Sequence, residues 1–514
     1  MKRHNLYAAL LLAAVGYGCA QGPSASKPTT DVAKLSEAAP KYAQTITAAD
    51  LSKHLHIIAS DEYEGRNTGE KGQKMAAEYI AREFREDGLA GPVKAGANPY
   101  YQTFDLQKSS WGDGHITVGT QKFLMMQDFF PFGASPFSTE QAIEAVYVTE
   151  ADQIASKGAN GKLVVTMLAN PAEMQNKMRA FGAAAEKAGA KGVAYILDAE
   201  AYRTTAERFS HRLSQPSISQ MSNNGGTTRP ATIITSPTVG AAILGTTPEK
   251  LQQTAATATP ASNIKILMSR KAEPLATENV LGFVEGTDKK DEVIIVTAHY
   301  DHVGVEESKT GDKIYNGAND DGSGTVAVIE LAEAFAQAKK DGYGPRRSVL
   351  FMTVTGEEKG LLGSEYYSQN PIFPLENTVA NVNIDMIGRM DYDHEKTNDS
   401  NYIYVIGADK LSSELHQINE EMNQKYVNLK LDYTYNDEND PNRFYYRSDH
   451  YNFAKNGIPI VFYFNGVHDD YHQPGDHADK IIYESAEKVS RLAFHVTWEL
   501  ANRENRIVVD SNKK

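Results

Sequence analysis

Short apolar runs alternate with amphipathic segments along the second half of the chain, from residue 279 to the C-terminal helix. Five apolar runs predict buried strands because β-branched and aromatic residues dominate them: 292–297, 348–354, 379–384, 403–406 and 459–464. Helical spacing predicts helices over 325–339, near Leu361, near Leu415, over 449–455, and finally where Val489, Leu492, Val496 and Leu500 share one face. Such alternation predicts an α/β fold with a mostly parallel, mixed central sheet and helices on both faces.

The pattern changes between residues 107 and 265. Strands are predicted at 161–165, 192–197 and 231–235, a helix at 174–188, a continuing mixed pattern at 241–245 and an exposed loop at 223–228. We interpret this stretch as an inserted, smaller domain of α/β or β-rich type. It acts either as a lid or substrate-selecting wall, or as a purely stabilising element, and the sequence leaves both alternatives open.

The insertion divides the main domain into the stretches 46–106 and 266–505. In the first stretch, Ala76, Tyr79, Ile80 and Phe84 share a helical face. A prior of about 150 residues per domain also favours more than one domain in this chain.

The N-terminus has a basic start, an apolar stretch from Leu6 to Val15, and small residues before Cys19. This is the pattern of a secretory signal, and the apolar stretch is too short to span a bilayer. Cys19 is the single cysteine, so an intramolecular disulfide is excluded, and its position resembles a bacterial lipoprotein cleavage site. We therefore expect a signal over 1–19, a lipid anchor at Cys19, a flexible tether over 20–45, and export to the bacterial cell envelope as a periplasmic or outer-membrane lipoprotein. The alternative is a secreted protein without an anchor.

Acidic residues outnumber basic ones, with 66 Asp and Glu against 52 Lys and Arg and a formal charge of −14. This balance argues against nucleic acid as the main partner, and it suits a cationic cofactor. The sequence does not indicate an oligomeric state.

Polar side chains that can bind metal follow the predicted strands. In sheets of this kind ligands bind beyond the carboxyl ends of the strands, so these side chains are expected to converge. They are His299, Asp320, Glu357, Glu358, Asp385 and His472. Two imidazoles and four carboxylates suit zinc or a similar ion and exceed what one tetrahedral zinc needs, so two metal ions sharing a carboxylate are expected. Asp301 is placed to orient the His299 ring from outside the ligand set.

Plainer interpretations stand beside these. Glu357 and Glu358 could be a solvated pair in a helix's first turn, and Asp385 could cap a turn. The glycine-rich run after Asp320 could suggest a phosphate loop, but it lacks the lysine of one. Four further histidines are interpreted as supporting or loop residues: His302, His450, His468 and His477.

Five ordered motifs carry a resemblance to a known family. They are AHYDH at 298–302, NDDGSG at 319–324, GEEKGLLGS at 356–364, NIDM at 383–386 and YHQPGD at 471–476. In this order they resemble the motifs of the co-catalytic di-zinc peptidases of metallopeptidase family 28, which include bacterial aminopeptidases and glutamate carboxypeptidases. More loosely, 51–106 looks like the N-terminal segment of such enzymes, and the insertion looks like their protease-associated domain.

The resemblance implies two zinc ions per chain and a role for each candidate residue. It makes Asp320 the bridging ligand, pairs His299 with Asp385 on one zinc, and pairs Glu358 with His472 on the other. The remaining implied roles are the general base for Glu357, support of His299 for Asp301, and a hydrogen bond to the tetrahedral intermediate for Tyr471. A cis peptide bond between Asp320 and Asp321 is implied as well.

The implied activity is that of a zinc-dependent exopeptidase that removes the N-terminal residue of peptide substrates. A carboxypeptidase or dipeptidase of the same family is the alternative, for which Arg443 or Arg447 could bind the substrate's terminal carboxylate. A single-zinc glutaminyl cyclase and a non-catalytic binding lipoprotein are further alternatives. The sequence leaves the side-chain preference open.

Overall fold

A computed structural model of the chain describes residues 32–133, 135–168, 174–221, 229–254, 257 and 259–511. The predicted signal over 1–19, Cys19 and the predicted loop at 223–228 lie outside the described residues. Within the described ranges, no helix is both long enough and apolar enough to cross a membrane.

The strands and helices are named here in chain order. The strands are β1 (Tyr101–Val118), β2 (Gln121–Leu124), β3 (Phe129–Phe132), β4 (Gln141–Ile143), β5 (Ala145–Tyr147), β6 (Leu163–Leu168), β7 (Gly192–Leu197), β8 (Ser217–Gln220), β9 (Ala231–Thr235), β10 (Ile264–Val284), β11 (Lys289–His299), β12 (Gly304–Val305), β13 (Ile314–Tyr315), β14 (Arg347–Val354), β15 (Thr378–Ile384), β16 (Tyr402–Ile406), β17 (Lys430–Asp432) and β18 (Ile460–Phe464). The helices are α1 (Val32–Ala43), α2 (Ala48–Ile58), α3 (Lys71–Glu86), α4 (Gln153–Ser156), α5 (Met174–Lys187), α6 (Ala199–Ser214), α7 (Pro237–Ile243), α8 (Leu251–Thr254), α9 (Gly324–Lys340), α10 (Leu362–Gln369), α11 (Tyr392–Thr397), α12 (Ala408–Leu411), α13 (Ser413–Met422), α14 (His450–Ala454) and α15 (Tyr483–Asn502).

The central sheet is mixed, with parallel strands at its middle. Its strand order is β17-β16-β18-β15-β11-β14-β10-β1-β2, and β4 and β8 pair at one side. The pairs β14–β11, β11–β15 and β15–β18 are parallel, whereas β10–β14 and β16–β18 are antiparallel. The strands β14 and β15 are buried along their whole length. The predicted fold class, a mixed sheet with a parallel core, is confirmed.

The parallel strands place the candidate ligands at one edge of the sheet. Strand β11 ends at His299, β14 ends three residues before Glu357, and β15 ends immediately before Asp385. The loop that follows β18 carries His472, and the turn that precedes α9 carries Asp320. Because carboxyl ends of parallel strands meet at one edge, residues far apart in sequence share one site.

The predicted flexible tether over 20–45 is wrong for its second half. Helix α1 covers Val32–Ala43 and buries Leu35, Ala39 and Tyr42. The spacing of these three residues puts them on one face, and the Trp498 indole donates to the Leu35 carbonyl at 3.0 Å. The Ser-, Pro- and Ala-rich composition concealed a helix that is stabilised by packing against α15.

The insertion holds a sheet of its own, with strand order β3-β9-β7-β6-β5 and parallel pairs at its centre. Apolar side chains pack on both faces of this sheet, so it has its own core. The long strands β1 and β10 pair with each other along residues 101–118 and 264–280, and they continue from the main sheet into the insertion. The predicted mixed pattern at 241–245 falls largely in helix α7, which begins at Pro237 and is capped by Ser236.

Candidate metal centre

The Asp320 carboxylate lies between two imidazoles. Its Oδ1 is 3.2 Å from His299 Nε2, and its Oδ2 is 3.0 Å from His472 Nε2. Asp385 Oδ2 lies 3.7 Å from His299 Nε2, and Glu358 Oε2 lies 3.1 Å from His472 Nε2. Asp320 therefore separates two groups of donor atoms, one on each side. The five side chains that the resemblance implied as ligands all lie here, with Asp385 near His299 and Glu358 near His472.

The donor set fits divalent metal ions. On one side the ligand atoms of His299, Asp320 and Asp385 lie within 4.8 Å of one another, and so do those of His302, Asp320 and Glu358 on the other side. Nitrogen and carboxylate donors at this spacing suit zinc. Among the described residues, no lysine or arginine forms an ion pair with these carboxylates. A cation is therefore needed to offset their charge when the imidazoles are neutral.

The charges of the side chains show the same need for cations. Burial lowers the pKa of His299, but Glu357, Asp385 and Asp320 outweigh burial and raise it well above the usual value. Burial likewise lowers the pKa of His472, whereas Asp320 and Glu358 raise it to about 10. In the metal-free protein the neighbouring carboxylates therefore favour the protonated form of both imidazoles. Metal ions would displace these protons on binding.

Glu357 lies beside the His299 group. Its Oε2 is 3.8 Å from His299 Nε2. Burial raises the pKa of Glu357 well above its usual value, and Glu358, Asp449 and Asp385 raise it further against the opposing effect of His299. A carboxylate with a raised pKa takes up a proton from water more readily than an ordinary one. The position of Glu357 beside His299 and its raised pKa suit a general base.

Asp301 supports His299 in a different way from the one predicted. Its Oδ1 is 3.9 Å from His299 Nδ1, which is beyond hydrogen-bond distance, whereas the Asp301 carbonyl oxygen lies 3.1 Å from that nitrogen. The carboxylate instead accepts hydrogen bonds from the Thr68 hydroxyl at 2.6 Å and from the Glu357 backbone N–H at 3.2 Å. The predicted contact of the Asp301 carboxylate with His299 is thus an ion-pair contact and not a hydrogen bond, because the hydrogen bonds of that carboxylate go to Thr68 and to the loop that carries Glu357.

Tyr471 lies against the ring of His472, with ring centroids 4.0 Å apart. Arg447 donates from Nη2 to the Tyr471 hydroxyl oxygen at 3.2 Å. Burial raises the pKa of Tyr471, so the hydroxyl keeps its proton. Because Arg447 occupies an acceptor site on the oxygen, the Tyr471 O–H remains available to donate.

Two aspartates to which the sequence analysis gave no supporting role, Asp321 and Asp476, hold the ligand loops in place. Asp321 accepts hydrogen bonds from the backbone N–H groups of His299, Gly324 and Met386. Asp476 accepts from the N–H groups of Asn319 and Asp320. The peptide bond between Asp320 and Asp321 is cis, as the resemblance implied.

Arg66 is a further residue that the sequence analysis did not single out. It is fully buried, and its guanidinium donates to the carbonyl oxygens of Tyr300, Ile58, Asn316 and Gly317 at 2.6–2.9 Å. It thereby joins the N-terminal segment to the loops that carry the candidate ligands. The amphipathic pattern gives no signal for it, since arginines are rarely buried.

Two cavities lie at the candidate centre. The smaller cavity has a volume of about 30 Å³, and five candidate site residues line one side of it: His299, Asp320, Glu357, Asp385 and Tyr471. The rest of its wall is formed by Met386, Phe444, Arg447, Ser448, Phe462, Phe464 and Val467. A larger one of about 450 Å³ includes His472 and lies between the main domain and the insertion, which contributes Lys108, Gln215, Pro216 and Ile218. The insertion therefore forms part of the surroundings of the site.

Three of the four histidines set aside earlier stay outside the donor groups. His450 Nε2 lies 2.8 Å from the Tyr445 carbonyl oxygen, His468 Nε2 lies 3.0 Å from Asn319 Nδ2, and His477 pairs with Asp312. The fourth, His302, lies in the second donor group.

Comparison with known proteins supports the resemblance. Residues 279–497, which contain every donor of the two groups, match the family described as "Peptidase family M28". This part of the chain belongs to peptidase family M28. Residues 279–497, called the M28 domain here, contain the middle strands of the central sheet and most of the C-terminal helix α15.

Relatives of the M28 domain include a protein of Pyrenophora teres f. teres named "Probable zinc metalloprotease", which is 34% identical over 131 residues. That match covers 25% of this chain and 25% of the relative. "Aminopeptidase YwaD" of Bacillus subtilis is 26% identical over 238 residues, or 45% of this chain and 46% of the relative. The matches thus span a quarter to just under half of these relatives.

A solved structure shares the fold over nearly the whole chain. It is the aminopeptidase from Aneurinibacillus sp. strain AM-1, with a TM-score of 0.53 and 18% identity. The comparison covers 92% of this chain and 98% of that one. The shared fold therefore includes the insertion as well as the M28 domain.

Proposed function

We propose that this protein is a zinc-dependent aminopeptidase that binds two zinc ions. The observation that supports this most is the position of Asp320, whose two carboxylate oxygens face separate donor groups at 3.2 Å and 3.0 Å. A carboxylate shared between two sets of ligands suits a pair of co-catalytic ions that lie close together.

His299 and Asp385 would hold one zinc, and Glu358 and His472 the other, with Asp320 shared. When bound, the ions would lower the pKa of a water molecule and polarise the scissile carbonyl. Glu357 accepts the proton of the attacking water and passes it to the leaving amine. The Tyr471 hydroxyl donates to the oxygen that becomes negatively charged in the transition state.

The small cavity supports cleavage at the N-terminal residue. Its far wall consists mainly of the apolar side chains Met386, Phe444, Phe462, Phe464 and Val467. The cavity is small and is closed on its far side by this apolar wall, so it suits a single side chain better than a longer stretch of peptide. The substrate's first side chain would enter this cavity, and the rest of the peptide would extend towards the larger one. The preferred substrates are therefore peptides that begin with a small or medium apolar residue.

One observation favours a second candidate, a carboxypeptidase. Arg447 lines the small cavity, where a cation could pair with a substrate carboxylate. Arg443, the other arginine considered, stacks on the Tyr446 ring instead. The aminopeptidase ranks first because the apolar wall outweighs one arginine that is already hydrogen-bonded to Tyr471.

The test is an assay of the purified protein against leucyl and alanyl anilides, free peptides and N-acetylated peptides, with zinc determined on the same sample. We expect cleavage of substrates with a free amino terminus and two zinc ions per chain. Cleavage of N-acetylated peptides alone would replace the aminopeptidase with the carboxypeptidase. One zinc per chain together with cyclisation of N-terminal glutamine would favour the glutaminyl cyclase. Two bound zinc ions with cleavage of none of the substrates would favour the non-catalytic binding protein.

We also propose export with a lipid anchor at Cys19, supported by the N-terminal sequence pattern. Labelling cells with a palmitate analogue tests this proposal. Wild-type protein should carry the label and Cys19→Ser protein should not.

A further inference from the structure

His302 lies against the donor group of Glu358 and has no role in the function proposed above. Its side chain is fully buried, with Nδ1 2.8 Å from Glu358 Oε1 and 3.9 Å from Asp320 Oδ2. Within the described residues, neither ring nitrogen of His302 has a hydrogen-bond partner, and neither does Glu358 Oε1. The contact between His302 Nδ1 and Glu358 Oε1 is therefore as short as an ion pair, although its angle is poor for a hydrogen bond.

This combination is unusual for a buried imidazole. A neutral imidazole has one donor and one acceptor nitrogen, and buried polar atoms are nearly always paired. An N–H that pointed at Glu358 Oε1 would satisfy both atoms at once. The angle is poor for that bond here, and a shared cation is a partner that suits two adjacent lone-pair donors. The ligand atoms of His302, Asp320 and Glu358 all lie within 4.8 Å of one another.

The surrounding backbone holds the ring of His302 in this place. The backbone N–H of His302 donates to the Arg66 carbonyl oxygen at 3.1 Å. Gly317 packs against the other side of the ring, where a Cβ atom would come within 2.5 Å of His302 Cγ. The ring of His472 lies edge-on at 5.6 Å between centroids. His302 therefore has little freedom to turn away from Glu358.

We propose that His302 is a further ligand, through Nδ1, of the metal ion that Glu358, His472 and Asp320 would hold. This inference rests on the proposed function. A ligand at His302 makes the two metal positions on either side of Asp320 unequal, because one position has two imidazole ligands and the other has only His299. The His302 side is then the tighter zinc position, and it is the last to lose its metal to a chelator.

A substitution separates a ligand from a hydrogen-bonding residue. His302→Asn keeps an amide donor near the place of Nδ1 but removes the imidazole ligand, which zinc prefers to an amide. We expect wild-type protein to release two zinc ions in two steps against rising chelator, and His302→Asn to release the tighter one at an at least tenfold lower chelator concentration. An unchanged second step in His302→Asn would overturn the proposal.

The matched control is His495→Asn. His495 is also buried, but it lies in α15 and stacks on Tyr426, outside the two donor groups. The His495→Asn variant measures how much stability is lost with a buried imidazole that is not near the donor groups. Its zinc release against chelator concentration should match that of the wild type. Zinc loss in both variants at the same chelator concentration would also overturn the proposal.

X-ray absorption provides a measurement that needs no variant. Wild-type protein with one equivalent of zinc should show two imidazole ligands on that ion, and a single imidazole would overturn the proposal. The leucyl anilide assay keeps the two questions apart. Active protein with one imidazole on its tighter zinc contradicts only the role of His302, whereas protein with two zinc ions that cleaves nothing contradicts the proposed function.

Discussion

The backbone N–H of Glu357 donates to the carboxylate of Asp301 at 3.2 Å, so the proposed base is positioned by the residue two places after the candidate ligand His299. The same carboxylate accepts from the Thr68 hydroxyl. Asp301 therefore joins the ends of two neighbouring strands, β11 and β14, and contributes to the position of both Glu357 and His299.

Asp301→Ala tests this link. Without the acceptor, the Glu357 loop loses its anchor, and the turnover number should fall by about 10–100-fold, as for other residues that support metal-site side chains. Steady-state kinetics with zinc analysis measure this. Asp301→Asn keeps one acceptor oxygen and should recover part of the rate. Equal activity of Asp301→Ala and wild type would show that the link does not matter.

Glu357→Gln should remove turnover and leave zinc in place. Loss of a general base costs about 100- to 10,000-fold in rate, while the five candidate ligands stay intact. The matched variant is Glu358→Gln at the adjacent position, which should lose zinc because Glu358 Oε2 lies in the second donor group, 3.1 Å from His472 Nε2. Zinc loss in Glu357→Gln would reassign Glu357 as a ligand.

Tyr471→Phe removes the proposed donor to the transition-state oxygen. The turnover number should fall by about 100- to 1,000-fold, with KM and zinc content little changed. The nearby Tyr446→Phe is the control because Tyr446 is 44% exposed and does not line the small cavity. A change confined to KM would place Tyr471 in substrate binding alone.

Val467→Phe should change substrate preference by filling the small cavity. Because Val467 lines the apolar wall, kcat/KM for leucyl substrates should fall by about 10- to 100-fold relative to glycyl substrates, as expected for a few misplaced carbon atoms. Val305→Phe alters the larger cavity instead and should leave this ratio unchanged. Equal losses for both substrates would show that Val467 does not contact the first side chain.

Arg66→Lys should destabilise the fold although it keeps the charge. Lysine cannot donate to all four carbonyl oxygens, and each buried acceptor left unpaired costs about 1–3 kcal/mol. The thermal midpoint should therefore fall by several degrees in a melting experiment. Arg82→Lys, on the half-exposed side chain that pairs with Glu83, should melt like wild type. Identical melting of both variants would contradict the role given to Arg66.

The sequence determined the alternation of strands and helices in the M28 domain because apolar runs and helical faces are local patterns. It also determined that polar residues after the strands share an edge, since parallel strands allow no other arrangement. The polar positions that follow the predicted strands identified His299, Asp320, Glu357, Glu358, Asp385 and His472 as candidates in advance. Helix α1 was missed because its composition is that of a linker, and only its packing against α15 makes it a helix.

Tertiary structure alone decided how these residues are supported and oriented. Whether the Asp301 carboxylate turns to His299 or to Glu357 depends on Thr68, which comes from a segment more than 200 residues earlier. The burial of Arg66 and the proximity of His302 to Glu358 likewise depend on loops brought together from distant parts of the chain. Spacing along a chain identifies which side chains reach a strand end, but the direction in which each one points is set by neighbours that only folding supplies.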